Sequence, residues 1–338
     1  MSGSLLLAPM QDVTDLAFWR LLERRAGADC YLTEYIRVYP HSRIDPHIER
    51  QILQNDTGRP LVAQIAGEDI PSLVKIAQEL QRLPIAGIDL NLGCPAQVVC
   101  RKNVGGALLK DPAKVEEILG ALRPAIKIPF SVKCRLGYAD SSSFEHLLEL
   151  FNQYRLDWVT IHGRTVRQGY GGQANWDAIM QAARLLNCPT IGNGDISCPQ
   201  TAARILTDSP LAGLMIGRGA VRNPWLFSQI RQVLEGKEPL LPTGRQLMEY
   251  LRELRQVTDL GPLSRGERFH VERVKKFLNF IGEGVGADFL HAVRRASSWS
   301  QMESIWARFL DHDRPMPLIP PRKPPAGENS PATLPEKH

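Results

Sequence analysis

The sequence predicts an α/β chain in which a (β/α)8 barrel, a TIM barrel, is followed by a small all-α helical bundle. Three observations carry this. Eight short β-type runs recur about every thirty residues, helical patterns separate them, and after Leu234 the composition shifts to a Gly/Pro linker followed by four amphipathic stretches. The expected units are a barrel over 1–236, a helical bundle over 245–312 and a disordered, proline-rich tail over 315–338. A chain of 338 residues has room for one barrel-sized unit plus a smaller one.

The strand runs are 5–10, 30–35, 61–67, 88–93, 130–137, 158–164, 190–196 and 214–219. In the fourth, Ile88, Leu90 and Leu92 alternate with Asp89 and Asn91, and the run breaks at Gly93 and Pro95. Helical spacing covers 16–25, 71–83, 112–123, 144–154, 176–186, 199–206 and 224–234, with a poorer pattern at 41–53. Asp69 before Pro71, Asp111-Pro112 and Asn223-Pro224 are good helix starts, since proline's missing N–H is harmless in a first turn. Beyond the linker, Leu247, Leu251 and Leu254 share one apolar helix face, and Phe269, Val274, Phe277, Leu278 and Ile281 share another.

Composition narrows the function classes. Hydrophobic content of 43% and charged content of 23% are those of a soluble globular protein, with no apolar run able to span a bilayer. The opening MSGSLLLAPM has no basic n-region and reads as neither signal peptide nor anchor. Six cysteines without a C-x-x-C pair argue against a disulfide framework, a zinc ribbon or an iron–sulfur site, so no metal is expected and a reducing cytoplasm fits best. A net charge of +5 is compatible with a polyanionic partner without requiring one.

In such a barrel the chemistry sits at the C-terminal strand ends. There the sequence places Pro9 and Met10; Glu34, Tyr35 and Arg37; Gln64; Asn91 and Cys94; Lys133 and Arg135; His162 and Arg164; Asn193, Gly194 and Asp195; and Gly217 and Arg218. Any one of these could be a satisfied structural residue; a whole polar ring is a site. The Gly192-Asn193-Gly194-Asp195 and Gly217-Arg218-Gly219 turns follow the seventh and eighth runs, where barrels commonly bind phosphate. With Gln64 and Lys133 across the mouth, a phosphorylated planar cofactor such as flavin mononucleotide (FMN) is expected; a Schiff-base role for Lys133 is the alternative. Cys94, just past a strand end beside Gly93 and Pro95, is the thiol most exposed to that site.

As a set, L-A-P-M, Gln64, N-L-G-C-P with G-G-A-L-L downstream, S-V-K-C-R-L-G, I-H-G-R-T, G-N-G-D-I and M-I-G-R-G-A resemble the tRNA-dihydrouridine synthases from Leu5 to about Leu234. The resemblance implies FMN-mediated, NADPH-driven reduction of the C5=C6 bond of uridine in tRNA. It implies Cys94 as general acid; Cys100, six residues on, is the second candidate thiol. It implies Pro9, Met10, Gln64, Lys133, His162, Asn193, Gly194, Asp195, Gly217 and Arg218 as flavin contacts, and Asn91, Arg135 and Arg164 on the substrate side. The family's glycine-rich run after G-C-P is here Arg101-Lys102-Asn103-Val104-Gly105-Gly106. Tyr35-Ile36-Arg37-Val38 and the 270–275 segment, with Arg273 and Lys275, resemble the C-type branch, which modifies position sixteen of the D-loop. By composition the basic residues of the bundle are as well explained as a solvated face; the resemblance makes them a tRNA grip. A monomer is expected. The competing readings are a barrel flavoenzyme acting on a free pyrimidine or enone, and a non-catalytic RNA-binding protein.

Overall fold

The computed structural model describes residues 3–259 and 266–320. Among them, nine parallel strands form one sheet: β1 (Ser4–Leu7), β2 (Tyr31–Leu32), β3 (Ile36–Val38), β4 (Leu61–Gly67), β5 (Gly87–Leu92), β6 (Phe130–Arg135), β7 (Trp158–His162), β8 (Thr190–Asn193) and β9 (Gly213–Ile216). The hydrogen-bonded order is β1-β9-β8-β7-β6-β5-β4-β2, with β3 also on β4. A parallel bridge between Leu6 and Cys30 brings β1 to the start of β2 and closes the ring. This is the expected barrel.

The intervening helices are α1 (Leu16–Glu23), α2 (Pro46–Leu53), α3 (Ile70–Leu80), the short α4 (Gln97–Cys100), α5 (Pro112–Ala125), α6 (Phe144–Gln153), α7 (Trp176–Leu185), α8 (Pro199–Thr207), α9 (Arg218–Arg222) and α10 (Leu226–Leu234). Side-chain caps start several of them: Asp69 accepts from Ser72 N and Asp111 from Lys114 N, each with a proline in the first turn. The strands bury both faces. Leu6, Leu32, Val62, Ile191 and Met215 fill the barrel floor, while Ile88, Leu90 and Leu92 face the helices.

The second expected run is interrupted. Between β2 and β3 the Thr33 hydroxyl, at 3.0 Å, takes the Gln64 N–H that a carbonyl would accept in a continuous ladder. Other runs end earlier than expected because their last residues leave the ladder to form the rim. Gly137 (φ 139°) and Gly194 (φ 137°) turn the chain there with backbone that side chains rarely adopt.

Beyond the linker, α11 (Gly244–Val257), α12 (Glu267–Val285), α13 (Ala287–Arg295) and α14 (Trp299–Leu310) form the helical unit. A reciprocal Thr243–Gln246 box starts α11. Leu247, Leu251, Leu254, Val274, Phe277, Leu278, Ile281, Met302 and Trp306 are buried, whereas Phe269 is 41% exposed and Val271 takes an inward place. The unit is seated on the barrel by Phe18 against Phe277 and by ion pairs running both ways. Arg24 and Arg25 meet Glu253, and Arg222 meets Glu283; in return Arg273 meets Asp15 and Lys276 meets Asp12. Arg25 also lies over the Trp225 and Tyr250 rings.

The expected tail needs a correction at its start. Pro315 bridges Thr243, Met316 N donates to Pro242 O at 2.8 Å, and Leu318 is buried against Gly284, where a Cβ would lie 2.9 Å from the Leu318 backbone. Leu318 is hydrophobic and reaches the helical unit, which a proline count does not register. The rest of that segment, from 321 onward, lies outside the described residues.

Candidate active site

The barrel mouth is built around a buried chain of hydrogen bonds. Asp89, pointing inward from β5, accepts from Ser131 Oγ (2.6 Å) and from Gln64 Nε2 (2.7 Å). Gln64 Oε1 accepts from Asn91 Nδ2 (2.8 Å), and Asn91 Oδ1 accepts from the N–H groups of Gly93 (3.0 Å) and Cys94 (2.9 Å). Burial raises the Asp89 carboxyl to about 6, opposed by those hydrogen bonds and by Lys133.

Cys94 is half-buried, and its loop is braced on the other side as well. Its carbonyl accepts from Gly106 N (3.1 Å) and from the Cys100 thiol (3.5 Å). Gly105 (φ 64°) makes this approach possible, since a Cβ there would lie 3.1 Å from that of Cys94. Cys100 is thus tied to the loop backbone. Burial and then the neighbouring Cys94 push the Tyr35 phenol up, against the pull of Arg37, so ring and thiol lie side by side.

On the neighbouring strand β6, in register with Asn91, no hydrogen bond or ion pair among the described residues holds the half-buried Lys133 ammonium. Burial, then Arg135, lowers it to about 8. Burial and the cations Lys133, Arg135, Arg164 and Arg218 hold His162 neutral, down to about 2, and its Nδ1 has no partner. Arg135 and Arg164, expected on the substrate side, are 3% and 2% exposed and support loops. Arg135 donates to the carbonyls of Gly93, Thr165 and Gly169; Arg164 donates to those of Gly171 and Gly172 and to Asp195, leaving its Nη1 buried without a partner.

Asp195 (φ 52°) also accepts from Arg218 (3.2 Å) and from Ala174 N (2.8 Å). Asn193 Nδ2 donates to Met215 O at 2.7 Å, linking the two glycine turns. A Cβ at Gly194 would lie 2.6 Å from that of Ala174, and one at Gly217 3.3 Å from Met10 Sδ, so the expected flavin-side residues from β1, β8 and β9 do converge. Pro9 precedes Met10, whose carbonyl accepts from Val13 and Thr14 in a tight turn.

Beside the mouth runs a groove of about 1530 Å³, walled by the Tyr35–Ile48 segment, the loop after Cys94 and α12. Arg37 and Tyr39 are exposed on it. Arg273 and Lys275, expected to grip phosphate, are differently engaged: Arg273 with Asp15 at 2.8 Å and Lys275 with Glu272 at 2.7 Å.

The dihydrouridine synthase family model matches residues 6–261. The chain belongs to that family. It is 34% identical over 256 residues to tRNA-dihydrouridine synthase B of Pseudomonas aeruginosa, covering 74% of this chain and 77% of that protein. It is also 34% identical over 303 residues to a probable tRNA-dihydrouridine synthase of Rickettsia bellii, covering 87% and 90%, a span that takes in most of the helical unit. Among solved structures, histamine dehydrogenase from Rhizobium sp. 4-9 matches with a TM-score of 0.53 at 13% identity, over 74% of this chain and 49% of that one. A 2-naphthoyl-CoA reductase complex also gives 0.53, at 12% identity over 69% and 50%. At those identities the likeness concerns the barrel alone.

Within this dihydrouridine synthase barrel, sequence reasoning missed Asp89 and Tyr170. Asp89 carried a signal, an acidic residue that shares a strand face with Asn91 in a run short enough to be fully buried. Tyr170 carried none: it is 60% exposed on the loop that Arg135 and Arg164 hold, with the Arg135 and Arg218 guanidinium groups 5.9 and 5.2 Å from its ring centre.

Proposed function

We propose that this chain is a tRNA-dihydrouridine synthase that reduces the C5=C6 bond of a D-loop uridine, carries FMN in the barrel mouth and takes its reducing equivalents from NADPH. The observation that carries the reading is one mouth holding a braced thiol beside an ammonium and an imidazole nitrogen that have no protein partner among the described residues. The lone Lys133 ammonium, the orphaned His162 Nδ1 and Arg164 Nη1, and the close approaches at Gly194 and Gly217 suit a phosphorylated planar group. Such a flavin, when bound, supplies hydride to C6 of the uracil.

The chain's own residues do the remainder. Asn193, Gly194, Gly217 and Arg218 would hold the phosphate end, with Asp195 fixing Arg218, and Pro9, Met10, Lys133 and His162 would flank the planar part; Gln64, expected as a further contact, is fully buried with both ends of its amide engaged and would act through its neighbours. Cys94 would give its thiol proton to C5, completing the reduction, and so must be a thiol, not a thiolate, before transfer. Tyr35 confines it, and Asn91 holds its backbone in place. Arg135 and Arg164 act through the loops they support.

The groove is too large for a single base and suits the stem around a splayed nucleotide, with exposed Arg37 near phosphates. Arg273 and Lys275 each hold a carboxylate, so they would meet phosphate with their remaining donors or by exchanging that partner. Position sixteen is the target implied by the Tyr35–Val38 resemblance, while the Pseudomonas relative carries a B designation. The protein acts as a monomer in the cytoplasm. The test is twofold: the purified protein is yellow and releases FMN on denaturation, and tRNA from a strain lacking it loses dihydrouridine at one D-loop position. A colourless protein that flavin cannot reconstitute refutes the cofactor reading, and loss at a position other than sixteen refutes the target alone.

A further inference from the structure

Asp89 does not reach the mouth, yet as the acceptor at the lower end of a chain of hydrogen bonds it agrees with the Gly93 and Cys94 N–H groups at the upper end on which way the two amides between them face. A carboxylate only accepts, so Gln64 must turn its nitrogen down to Asp89 and its oxygen up. Asn91 must then donate to that oxygen, which leaves its own oxygen for the N–H groups of Gly93 and Cys94. Reversing Asn91 would set an NH2 against two backbone donors and leave both buried N–H groups unsatisfied. Every link is 2.6–3.0 Å long and every side chain is 6% exposed or less.

We infer that Asp89 is a positioning residue for the reaction: through Gln64 and Asn91 it anchors the buried end of a hydrogen-bond relay that holds the Cys94 thiol over the substrate site. The inference rests on Cys94 being the proton donor for its effect on turnover, though not for its effect on the thiol itself.

Asp89→Asn keeps an acceptor of the same size at 89, and Asp89→Ala removes it. Asn at 89 can accept from Gln64 with its oxygen and donate to Ser131 Oγ with its nitrogen, so the relay keeps its direction. Ala ends it. Two readouts apply: the iodoacetamide alkylation rate of Cys94, resolved from Cys100 by peptide mass spectrometry, and kcat and KM for tRNA. Asp89→Ala is expected to change Cys94 alkylation at least fivefold and to lower kcat ten- to a hundredfold at unchanged KM, with flavin reduction by NADPH retained. Asp89→Asn is expected to stay within about threefold of wild type in both. Wild-type alkylation in Asp89→Ala, or a tenfold change in Asp89→Asn, overturns the relay, and the second arm serves if the alanine variant does not fold. Altered alkylation with unaltered turnover keeps the relay and instead refutes Cys94 as the donor.

Discussion

Replacing Cys94 and Cys100 separately by alanine decides which thiol does the chemistry, and the structure says how the two results differ. The loop bonds of Cys94 use its backbone N–H and carbonyl, so Cys94→Ala keeps Asn91, Gly106 and Cys100 in their contacts. Losing a half-buried sulfur then affects stability by under about 1 kcal/mol. Loss of a general acid slows turnover by roughly a hundred- to ten-thousandfold, or about 3–5 kcal/mol of barrier. Cys100→Ala gives the reverse pattern: it removes the thiol donor to the Cys94 carbonyl, worth about 0.5–1 kcal/mol of stability, and leaves the rate within a fewfold. The assay is single-turnover dihydrouridine formation on unmodified tRNA, beside anaerobic flavin reduction by NADPH, which both variants should retain. A Cys100→Ala variant as slow as expected for Cys94→Ala, with Cys94→Ala near wild type, would falsify the assignment.

Other expectations follow from single contacts. Burial, with Asp12 and Asp15 nearby, raises Glu34 from 4.5 to about 7, with Gln11 Nε2 as its donor. Well below pH 4.5 both states are protonated and burial carries no penalty; as pH rises to 7 the unfolded chain ionises first, so stability falls, by about 3 kcal/mol once above 7. Glu34→Gln should therefore match wild type in urea melts near pH 4 and exceed it near pH 8, and equal curves at both would remove the effect. Gly194→Ala sets a Cβ against Ala174 at a φ of 137°, and should cost about 2–3 kcal/mol and weaken flavin binding, read by flavin fluorescence titration; wild-type affinity would place the phosphate elsewhere. Deleting 315–338 removes buried Leu318, worth about 1–2 kcal/mol after the strain of its φ of 52°, whereas deleting 321–338 spares it. Calorimetry giving both truncations the same Tm would contradict that seat.

The barrel was legible because its signal is periodic. Runs such as 61–67 and helix starts such as Asp111-Pro112 depend on local chemistry that the fold preserves. The Thr33 interruption was not legible, since a hydroxyl standing in for a carbonyl depends on a partner 31 residues away. At the site, motifs located Cys94, Lys133 and His162, but composition could not say that Arg135 and Arg164 spend their donors on loop carbonyls, or that Arg273 is occupied by Asp15. Whether a cation is free is a property of its neighbours in space.

The ion pairs between barrel and helical unit alternate in sign: the barrel contributes Arg24, Arg25 and Arg222 at some points and Asp12 and Asp15 at others. A seam with mixed polarity works as a keyed joint. Sliding α12 along itself by one turn, about 5.4 Å, would break several pairs together and bring like charges closer, so intermediate seatings are disfavoured and one alignment is selected. A helical unit transplanted from a relative with another charge order would meet this barrel out of key, however well its core packed. The two parts are therefore expected to diverge in matched steps, each charge reversal on one side of the seam answered on the other, and the width of the groove between them is inherited as a unit.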